Sequence, residues 1–573
     1  MHVFRHASRY ASRHALASLA SLAGVAVLSL GAASLHAQTS ASTATSASAS
    51  PISRNVIDAS LRFLSSDLLE GRAPATRGGR IAEQYIASQL ESFGIKPGYK
   101  GSYFQPVPID VVTPRPSTIS VTASGKATAT LHSTNDVVVW AGSATPSSHA
   151  KGELVFVGYG VKAPDYNWDD FKGTDLKGKI LLVLVNDPPA PASEPKLFGG
   201  KAMTYYGRWT YKYEEAERQG AAGMLVIHQT YEAGYPWQVV VSSNSTEHRL
   251  LPRPANSPAP LGVRGWIQHD VAASLLKQAG LDLAQLTKDA DTRGFHPVPT
   301  GITVDMSLQN DVAHLQSNNV VGVVQGSDPK LTSQYVLYTA HWDHLGMGPA
   351  ANGDSIYNGA YDNASGVATL LAVARAAQQA PVKPKRSQLF AFVTAEEAGL
   401  LGSQYLGEHP PVPARDVVAD LNLDEVNPEG TVRDLVVLGD TKSSLGPSLA
   451  AMIRPAGMRI TPEAHPEAGA FYRSDHFSLA RVGIPSVSIN AGDDFVGKPA
   501  GWGKTHEEEY VAKRYHQPSD QYDPSWSLEG AVQVGDIVRR FGLQLANGAQ
   551  IPTWNRDAEF RAMREKSLAG KGE

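Results

Sequence analysis

The second half of the sequence predicts an α/β sandwich built on a mostly parallel central β-sheet. From residue 318 onward, short apolar segments alternate with amphipathic ones, which is the pattern of strands alternating with helices. Acidic or histidine residues directly follow four of these segments, and open α/β sheets carry their sites at the carboxyl ends of strands. Upstream, a stretch of short strands with Gly and Pro predicts an inserted β-rich domain at about 135–295.

Length and composition exclude several classes of protein. The 573 residues exceed one ordinary core, and 42% hydrophobic with 18% charged residues is typical of folded protein. The net charge of −4 argues against a nucleic-acid partner, because proteins that bind nucleic acids carry a basic face. The sequence has no cysteine, so any metal site must use histidine and carboxylate ligands.

The N-terminus predicts export. Three arginines precede an apolar run at 16–35, and small residues with a candidate cleavage point after Ala37 follow. This pattern is typical of a secretory signal peptide, here 1–37, so we expect a periplasmic or secreted protein without stable membrane association once the signal is removed. The alternative is an uncleaved membrane anchor, since the apolar run is long for a signal.

The chain divides into six predicted segments. They are the signal peptide 1–37, a flexible linker 38–52 rich in Ser, Thr and Ala, the N-terminal part of the main domain 53–134, the insert 135–295, the main part of that domain 310–552, and a C-terminal tail 553–573.

Periodicity predicts the individual elements in order. Helices are expected at 56–69 and 78–93; the insert has strands at 153–160, 179–185 and 222–227 and a helix at 213–219. The main domain has strands at 335–340, 387–393, 417–423 and 484–489, and helices at 365–379, 400–405, 444–453 and 528–545.

Two of the segments that follow strands each carry a pair of candidate residues. One pairs a histidine with an acid, and the other pairs two acids. His341 and Asp343 lie two apart after the first main strand, so Asp343 can accept a hydrogen bond from the His341 ring and orient it. Glu396 and Glu397 follow the next strand, where one can bind metal while its neighbour acts as general base. The alternatives are a capped histidine at a polar strand end and two solvated acids near a helix start.

Three further candidates are single residues. Asp362 precedes the predicted helix 365–379 in a run of small residues, where an ordinary N-cap is the alternative. Asp424 ends a strand with alternating apolar positions. His516 precedes a turn that contains Pro518, and a plain loop residue is the alternative.

Together these residues match the needs of two divalent ions. Zinc takes histidine nitrogen and carboxylate oxygen, and one carboxylate can bridge two metal ions. The sequence has no G-x-S-x-G nucleophile elbow beside a suitable histidine and acid, and no GxxxxGK[ST] phosphate loop. The pattern therefore favours a two-metal site over these other chemistries.

The same segments resemble, in order, the co-catalytic zinc peptidases of metallopeptidase family 28, which include bacterial leucyl aminopeptidases and glutamate carboxypeptidase II. The matching segments are His-x-Asp at 341–343, Gly-Ala-Tyr-Asp-Asn-Ala-Ser-Gly at 359–366, Glu-Glu at 396–397, Leu-Asp at 423–424, Ser-Asp-His at 474–476, Gly-Ile-Pro at 483–485 and Tyr-His-Gln-Pro-Ser-Asp at 515–520. The resemblance covers about 318–550 and implies the family's fold, a phosphorylase/hydrolase-like α/β sandwich.

The resemblance also implies a role for each residue. Two Zn²⁺ ions are expected, one on His341 and Glu397 and the other on Asp424 and His516 in some pairing, with Asp362 bridging. Glu396 is implied as general base and Asp343 as the residue that orients His341. The segment 474–476 is expected to shape the pocket wall, and Tyr472 is a candidate donor to the developing oxyanion.

The insert resembles a protease-associated domain, on the strand entry at 175–180 and the helix at 214–223. Such a domain is expected to roof the site or limit substrate size, and a passive stabilising domain is the alternative.

The function implied by this resemblance is an exopeptidase, with an aminopeptidase acting on peptides as the first choice. Release of a C-terminal residue, with Arg473 and Arg481 as candidate carboxylate binders, and single-zinc cyclisation of N-terminal glutamine are alternatives on the same fold. A receptor or scaffold without catalysis is a further alternative, and the oligomeric state is left open.

Overall fold

The computed structural model describes residues 51–570, which begin with two helices and two strands. These are α1 (Arg54–Leu64), α2 (Arg77–Ser92), β1 (Lys96–Pro97) and β2 (Phe104–Pro114). The predicted signal peptide and nearly all of the predicted linker lie outside the described residues. Among residues 51–570, no helix combines the length and the apolar character that a bilayer crossing requires.

The middle of the chain is rich in strands. It contains β3 (Ser120–Gly125), β4 (Ala129–Leu131), β5 (Val137–Ala141), β6 (Ser147–Phe156), β7 (Lys162–Ala163), β8 (Trp168–Asp169), β9 (Ile180–Leu184), α3 (Trp209–Arg218), β10 (Gly223–His228), α4 (Thr230–Ala233), α5 (Trp237–Asn244), β11 (His248–Leu250), β12 (Val263–Gln268), α6 (His269–Gln278), α7 (Leu283–Ala290) and β13 (Val298–Val324).

The last part of the chain alternates strands and helices. It contains β14 (Tyr335–His341), β15 (Gly346–Ala351), β16 (Asp354–Tyr357), α8 (Ser365–Gln379), β17 (Ser387–Val393), α9 (Leu401–Glu408), β18 (Val417–Asn422), β19 (Asp434–Leu438), α10 (Leu445–Ile453), β20 (Arg459–Ile460), α11 (His476–Arg481), β21 (Ser486–Ala491), α12 (Trp502–Lys513), α13 (Glu529–Asn547) and α14 (Arg561–Ala569).

Four parallel strands form the centre of the main sheet, in the order β17, β14, β18, β21. Antiparallel strands flank them, with β13 beside β17 and β19 beside β21. All residues of β17 and β18 are buried, because helices cover both faces of a parallel sheet. The prediction of an α/β sandwich with a mostly parallel sheet is confirmed.

Helix α8 is the centre of the largest core. It packs against α1 and α13, and its Val367, Leu370 and Leu371 are fully buried. The helix has so little polar surface because neighbouring helices and the sheet enclose it, and burying each large aliphatic side chain contributes about 1.5–3 kcal/mol. This packing holds the start of α8 close to the carboxyl ends of the central strands.

A second run of paired strands carries the β-rich part. Its order is β4, β3, β13, β6, β9, β10, β12, β5, with β6, β9, β10 and β12 parallel. The long strand β13 belongs to both sheets, because its first half pairs with β3 and β6 and its second half with β2 and β17. The strands of this sheet extend beyond 135 and 295, and the limits of an inserted domain stay a prediction.

The first predicted helix is shorter than expected. Helix α1 ends at Leu64, and a separate 3-10 turn, Asp67–Arg72, follows with the side chain of Ser66 capping it. Leu68, which fits the helical spacing in sequence, is 73% exposed as a result. The turn directs Arg72 into the interior instead.

Candidate metal centre

The predicted ligands meet because their strands are parallel neighbours. His341 is the last residue of β14, while Glu397 and Asp424 lie a few residues past the ends of β17 and β18. These ends share one edge of the sheet, which is where open α/β sheets carry their sites. Asp362 enters from the turn before α8, and His516 from the loop after α12.

Asp362 lies at the middle of the group and faces a different histidine with each carboxylate oxygen. Its Oδ1 is 3.3 Å from Nε2 of His341. Its Oδ2 is 3.3 Å from Nε2 of His516. This geometry matches the bridging position that the resemblance implies for Asp362.

Each histidine has a second acidic neighbour. Nε2 of His341 is 3.1 Å from Oδ1 of Asp424, and Nε2 of His516 is 3.1 Å from Oε2 of Glu397. The resemblance implied His341 and Glu397 on one ion and Asp424 and His516 on the other in some pairing, and His341, Glu396 and Glu397 do lie within reach of one another. The shortest contacts place His341 with Asp424 and His516 with Glu397.

Asp343 supports the centre in a different way from the one expected. Nδ1 of His341 lies 3.2 Å from the backbone carbonyl oxygen of Asp343, whereas Oδ1 of the Asp343 carboxylate is 3.9 Å from the same nitrogen. The carboxylate instead accepts the backbone N–H groups of Glu396 at 3.1 Å and Glu397 at 3.4 Å. Asp343 therefore orients His341 through its main chain and holds the Glu396–Glu397 turn through its side chain.

Two further side chains orient the acids. The hydroxyl of Ser474 donates to Oδ2 of Asp424 at 2.6 Å, which leaves Oδ1 for His341. Nδ1 of His344 lies 2.6 Å from Oε1 of Glu397, so Nδ1 is the donor, because a carboxylate only accepts. The sequence analysis gave His344 no role, although it follows Asp343 directly.

Tyr472 does not face the centre. Its buried hydroxyl donates to Glu559 and accepts from Nζ of Lys442 at 3.0 Å. The family resemblance made Tyr472 a candidate oxyanion donor, and the structure directs its hydroxyl to Glu559 and Lys442 instead.

Arg72 is a functional residue that the sequence analysis missed. Its guanidinium is fully buried and donates to five backbone carbonyl groups. The acceptors are the carbonyl oxygens of Leu64, Trp342, Asn358, Gly359 and Asp362. Arg72 thereby ties the segment after His341 to the loop that carries Asp362.

Three non-glycine residues at the centre adopt left-handed backbone conformations. They are Ala395 with φ of 54°, Glu425 with φ of 52° and His516 with φ of 55°. Each is a candidate ligand or lies within two residues of one. Such conformations cost about 1–3 kcal/mol and concentrate at functional sites, where packing holds them in place.

Mutual interaction shifts the pKa values of the candidate ligands. Burial alone would raise the pKa of Asp362, but hydrogen bonds from His341 and His516 outweigh it and hold the pKa well below its ordinary value. Burial opposes protonation of His516, yet the charge of Glu397 and the contact with Asp362 raise its pKa to about 10. The histidines and the acids of the group thus favour each other's charged forms.

The donor set fits divalent metal ions. Asp343, Asp362 and Asp475 are buried and Glu396, Glu397, Asp424 and Glu425 half-buried around the centre. Over residues 51–570, only histidines form ion pairs with Asp362, Glu397 and Asp424. So many enclosed carboxylates need cations, since an unpaired buried charge is costly.

The spacing of the donors fits as well. Two ligands of one tetrahedral zinc lie about 3.3 Å apart when their bonds are about 2.0–2.1 Å long. The four nitrogen–oxygen contacts around Asp362 measure 3.1–3.3 Å. The fold is an α/β sandwich, and its two histidine–carboxylate pairs around a shared carboxylate form a candidate two-metal centre.

Comparison with known proteins narrows this class. Residues 319–541 match the description of peptidase family M28. Residues 319–541 thus belong to peptidase family M28, and the predicted family is confirmed for this part of the chain. The match begins after the β-rich part of the chain, so the predicted insert and its resemblance to a protease-associated domain stay predictions.

Individual relatives cover differing shares of the chain. Aminopeptidase YwaD of Bacillus subtilis is 28% identical over 388 residues, which are 66% of this chain and 66% of that protein. Aminopeptidase NAALADL1 of Rattus norvegicus is 36% identical over 118 residues, and the match covers 19% of this chain and only 14% of the rat protein. The solved aminopeptidase from Aneurinibacillus sp. strain AM-1 has a TM-score of 0.48 and 22% identity, and the alignment covers 87% of this chain and 96% of that one.

Proposed function

We propose that the protein is a zinc-dependent aminopeptidase that acts on peptides with two metal ions. The observation that carries this proposal is Asp362, whose two oxygens each face a separate histidine–carboxylate pair. The family match and the relatives named as aminopeptidases support the peptide-bond chemistry.

The chain supplies a complete set of donors for both ions. His341 and Asp424 are the proposed ligands of one ion, and His516 and Glu397 those of the other, with Asp362 shared. When bound, zinc polarises a carbonyl group and lowers the pKa of a water molecule. The hydrogen bonds from Ser474 and His344 present the free oxygens of Asp424 and Glu397 toward the histidines.

Glu396 is the proposed general base. It lies next to the proposed ligand Glu397 and within reach of His341, and among the described residues it forms no ion pair with lysine, arginine or histidine. Its backbone N–H is held by Asp343 at 3.1 Å, which positions the side chain. A carboxylate oxygen of Glu396 takes the proton of the attacking water and returns it to the amine that leaves.

The space beside the centre suits a short substrate. A pocket of about 710 Å³ lies between the candidate centre and the insert, and residues of both line it. His344 and Glu397 line it from the side of the centre, while Tyr235 and Val240 belong to the predicted insert. Such a wall limits the length of peptide beyond the cleaved residue, which supports an exopeptidase over an endopeptidase.

The test is a pair of variants at neighbouring acids. Glu396→Gln is expected to keep both zinc ions and to lose about 10²–10⁴-fold in kcat on aminoacyl chromogenic substrates, because the base is lost and the ligands are not. Glu397→Gln is expected to lose metal as well as activity. Metal content by plasma mass spectrometry separates the two effects.

Near-normal turnover of Glu396→Gln would refute the assigned base. A single zinc equivalent in the wild-type protein would instead favour the one-metal cyclase alternative. Absence of any chelator-sensitive hydrolysis of aminoacyl or dipeptide substrates would favour the receptor-like alternative.

We also propose that the protein is exported. The support is the N-terminal sequence, with its arginines, its apolar run at 16–35 and the small residues that end at Ala37. N-terminal sequencing of the mature protein from periplasm or medium is expected to begin at or near Gln38. A retained Met1 in a membrane fraction would favour the anchor alternative.

A further inference from the structure

Two arginines from different parts of the chain face the pocket beside the candidate metal centre. Arg208 precedes α3 in the insert, and Arg473 precedes α11 in the main domain. Both line the 710 Å³ pocket together with His344 and Glu397 of the centre. The insert and the main domain thus each contribute one guanidinium to the same space.

Neither guanidinium has an anionic partner among residues 51–570. Arg473 is exposed and Arg208 half-buried, and Nε of Arg208 is enclosed without a hydrogen-bond partner. Burial raises the pKa of Glu463 and the charge of Arg473 opposes that rise, but no ion pair joins these two side chains. A charged group turned into a pocket without a partner is available to a ligand.

Neighbouring arginines behave differently. Arg249 lines the same pocket, but its Nε lies 2.9 Å from Oε1 of Glu247. Arg481, the other arginine suggested by sequence, lies 3.2 Å from Glu214 and does not line the pocket. The unbalanced charge in the pocket therefore belongs to Arg208 and Arg473.

The two charges act on each other. Burial and then the positive charge of Arg473 lower the pKa of Arg208 to about 10, so Arg208 stays charged near neutral pH and is repelled by its neighbour. Tyr235, which also lines the pocket, is close enough for both arginines to act on its hydroxyl. An anion between the three groups would relieve the repulsion and receive several donors.

We propose that Arg208 and Arg473 form a carboxylate-binding subsite, so that preferred substrates carry a carboxylate close to the scissile bond. Arginine suits this task because its planar fork binds carboxylates with two parallel hydrogen bonds. The carboxylate is either the side chain of an acidic N-terminal residue or the free α-carboxylate of a dipeptide. The proposal rests on the proposed peptidase function and names its substrate class.

The test compares matched substrates that differ only in the carboxylate. One arm measures kcat/KM for glutamyl and glutaminyl p-nitroanilides, and the other for Leu-Gly and Leu-Gly amide. Loss of a hydrogen-bonded charge pair corresponds to about 10- to 100-fold in kcat/KM. The wild-type protein is therefore expected to prefer the charged substrate by about that factor in one arm, which identifies the source of the carboxylate.

Three arginine variants make the test specific. Arg473→Gln and Arg208→Gln are expected to bring the preference to about 1, because each removes one charge of the subsite. Arg249→Gln is expected to keep the wild-type ratio, since the charge of Arg249 is balanced by Glu247. The ratio compares substrates on one protein sample, so partial loss of folded protein does not affect it.

A ratio near 1 in both arms of the wild type, or a preference that survives in Arg473→Gln and Arg208→Gln, would overturn the subsite. If the wild type hydrolyses no substrate, the peptidase proposal fails separately. In that case, calorimetric Kd values of the same four compounds, measured on Glu396→Gln with its metal bound, test the subsite. The Kd of each charged compound is compared with that of its neutral partner.

Discussion

Single side chains at the centre are held by neighbours that the sequence does not single out. Asp362 meets both histidines because Arg72 fixes the loop before α8. The Arg72 guanidinium donates hydrogen bonds to the carbonyls of Asn358, Gly359 and Asp362. These carbonyls are buried, so they have no water to bind in place of the guanidinium. Arg72 is thus a positioning residue for the shared ligand.

Arg72→Lys is expected to destabilise the protein by about 2–5 kcal/mol and to lower zinc occupancy. An ammonium has three donors and cannot reach five carbonyls, and each buried polar group left unpaired costs about 1–3 kcal/mol. Denaturant unfolding and metal analysis check the two effects. The exposed Arg77→Lys serves as control, and equal stability of the two variants would contradict the role.

At the scale of elements, the short turns that follow parallel strands deliver the chemistry. The turn after β17 carries Glu396 and Glu397, and the one after β18 carries Asp424. Helix α11 packs beneath these turns. Ser474, just before the helix, donates a hydrogen bond to Asp424, and His476 at the first position of the helix is fully buried. Within the described part of the chain, both ring nitrogens of His476 lack hydrogen-bond partners, and the ring packs edge-on against Phe471 with centroids 4.7 Å apart.

The buried His476 is expected to make the protein sensitive to acid. Burial lowers its pKa to about 3, whereas an unfolded histidine has an ordinary value near 6.5. The stabilisation is complete above the unfolded value and is lost as the pH falls from about 6.5 toward 3, which amounts to about 2 kcal/mol at pH 5. His476→Leu is expected to lose less stability than wild type between pH 7 and pH 5 in denaturant unfolding.

This comparison uses the difference between two proteins, so carboxylates that titrate in both cancel. If His476→Leu and the wild type lose the same stability over this pH range, His476 is not the group responsible. Leucine keeps an apolar side chain of similar size against Phe471.

At the scale of the whole molecule, the candidate ligands come from five separate segments between 341 and 516. Strand β13 also joins the β-rich sheet to the main sheet, which brings Arg208 and Arg473 to one pocket. Metal ions on such ligands would link α12 to the ends of β14, β17 and β18. A ligand that binds only the native state stabilises it by an amount that grows with the logarithm of its free concentration relative to its Kd.

Removal of metal by a chelator is therefore expected to lower the Tm by about 5–10 °C, from the size of the linkage effect and the usual slope of Tm with stability. Scanning calorimetry before and after dialysis against chelator, with zinc added back, measures this. Asp362→Asn lacks the shared ligand and is expected to respond little. An unchanged Tm for the stripped wild type would contradict a structural contribution of metal.

Local patterns predicted much of this molecule. Helix α8 occupies the predicted residues 365–379, and β17 the predicted residues 387–393, because each is a mainly apolar segment of the length usual for its own structure. The family and the set of candidate ligands follow from short motifs in a given order. Each of these depends on residues close together in the chain.

Other features were decided by packing alone. The first half of β13 alternates between buried and less buried residues, whereas its last residues are almost all buried, because the two halves lie in different sheets. That division is not written in the local sequence of the strand. His341 and Asp424 are 83 residues apart in sequence, and only the order β17, β14, β18 places them 3.1 Å apart. Arg72, His344 and the pairing of the arginines in the pocket likewise follow from distances between segments, which local periodicity and motif spacing do not encode.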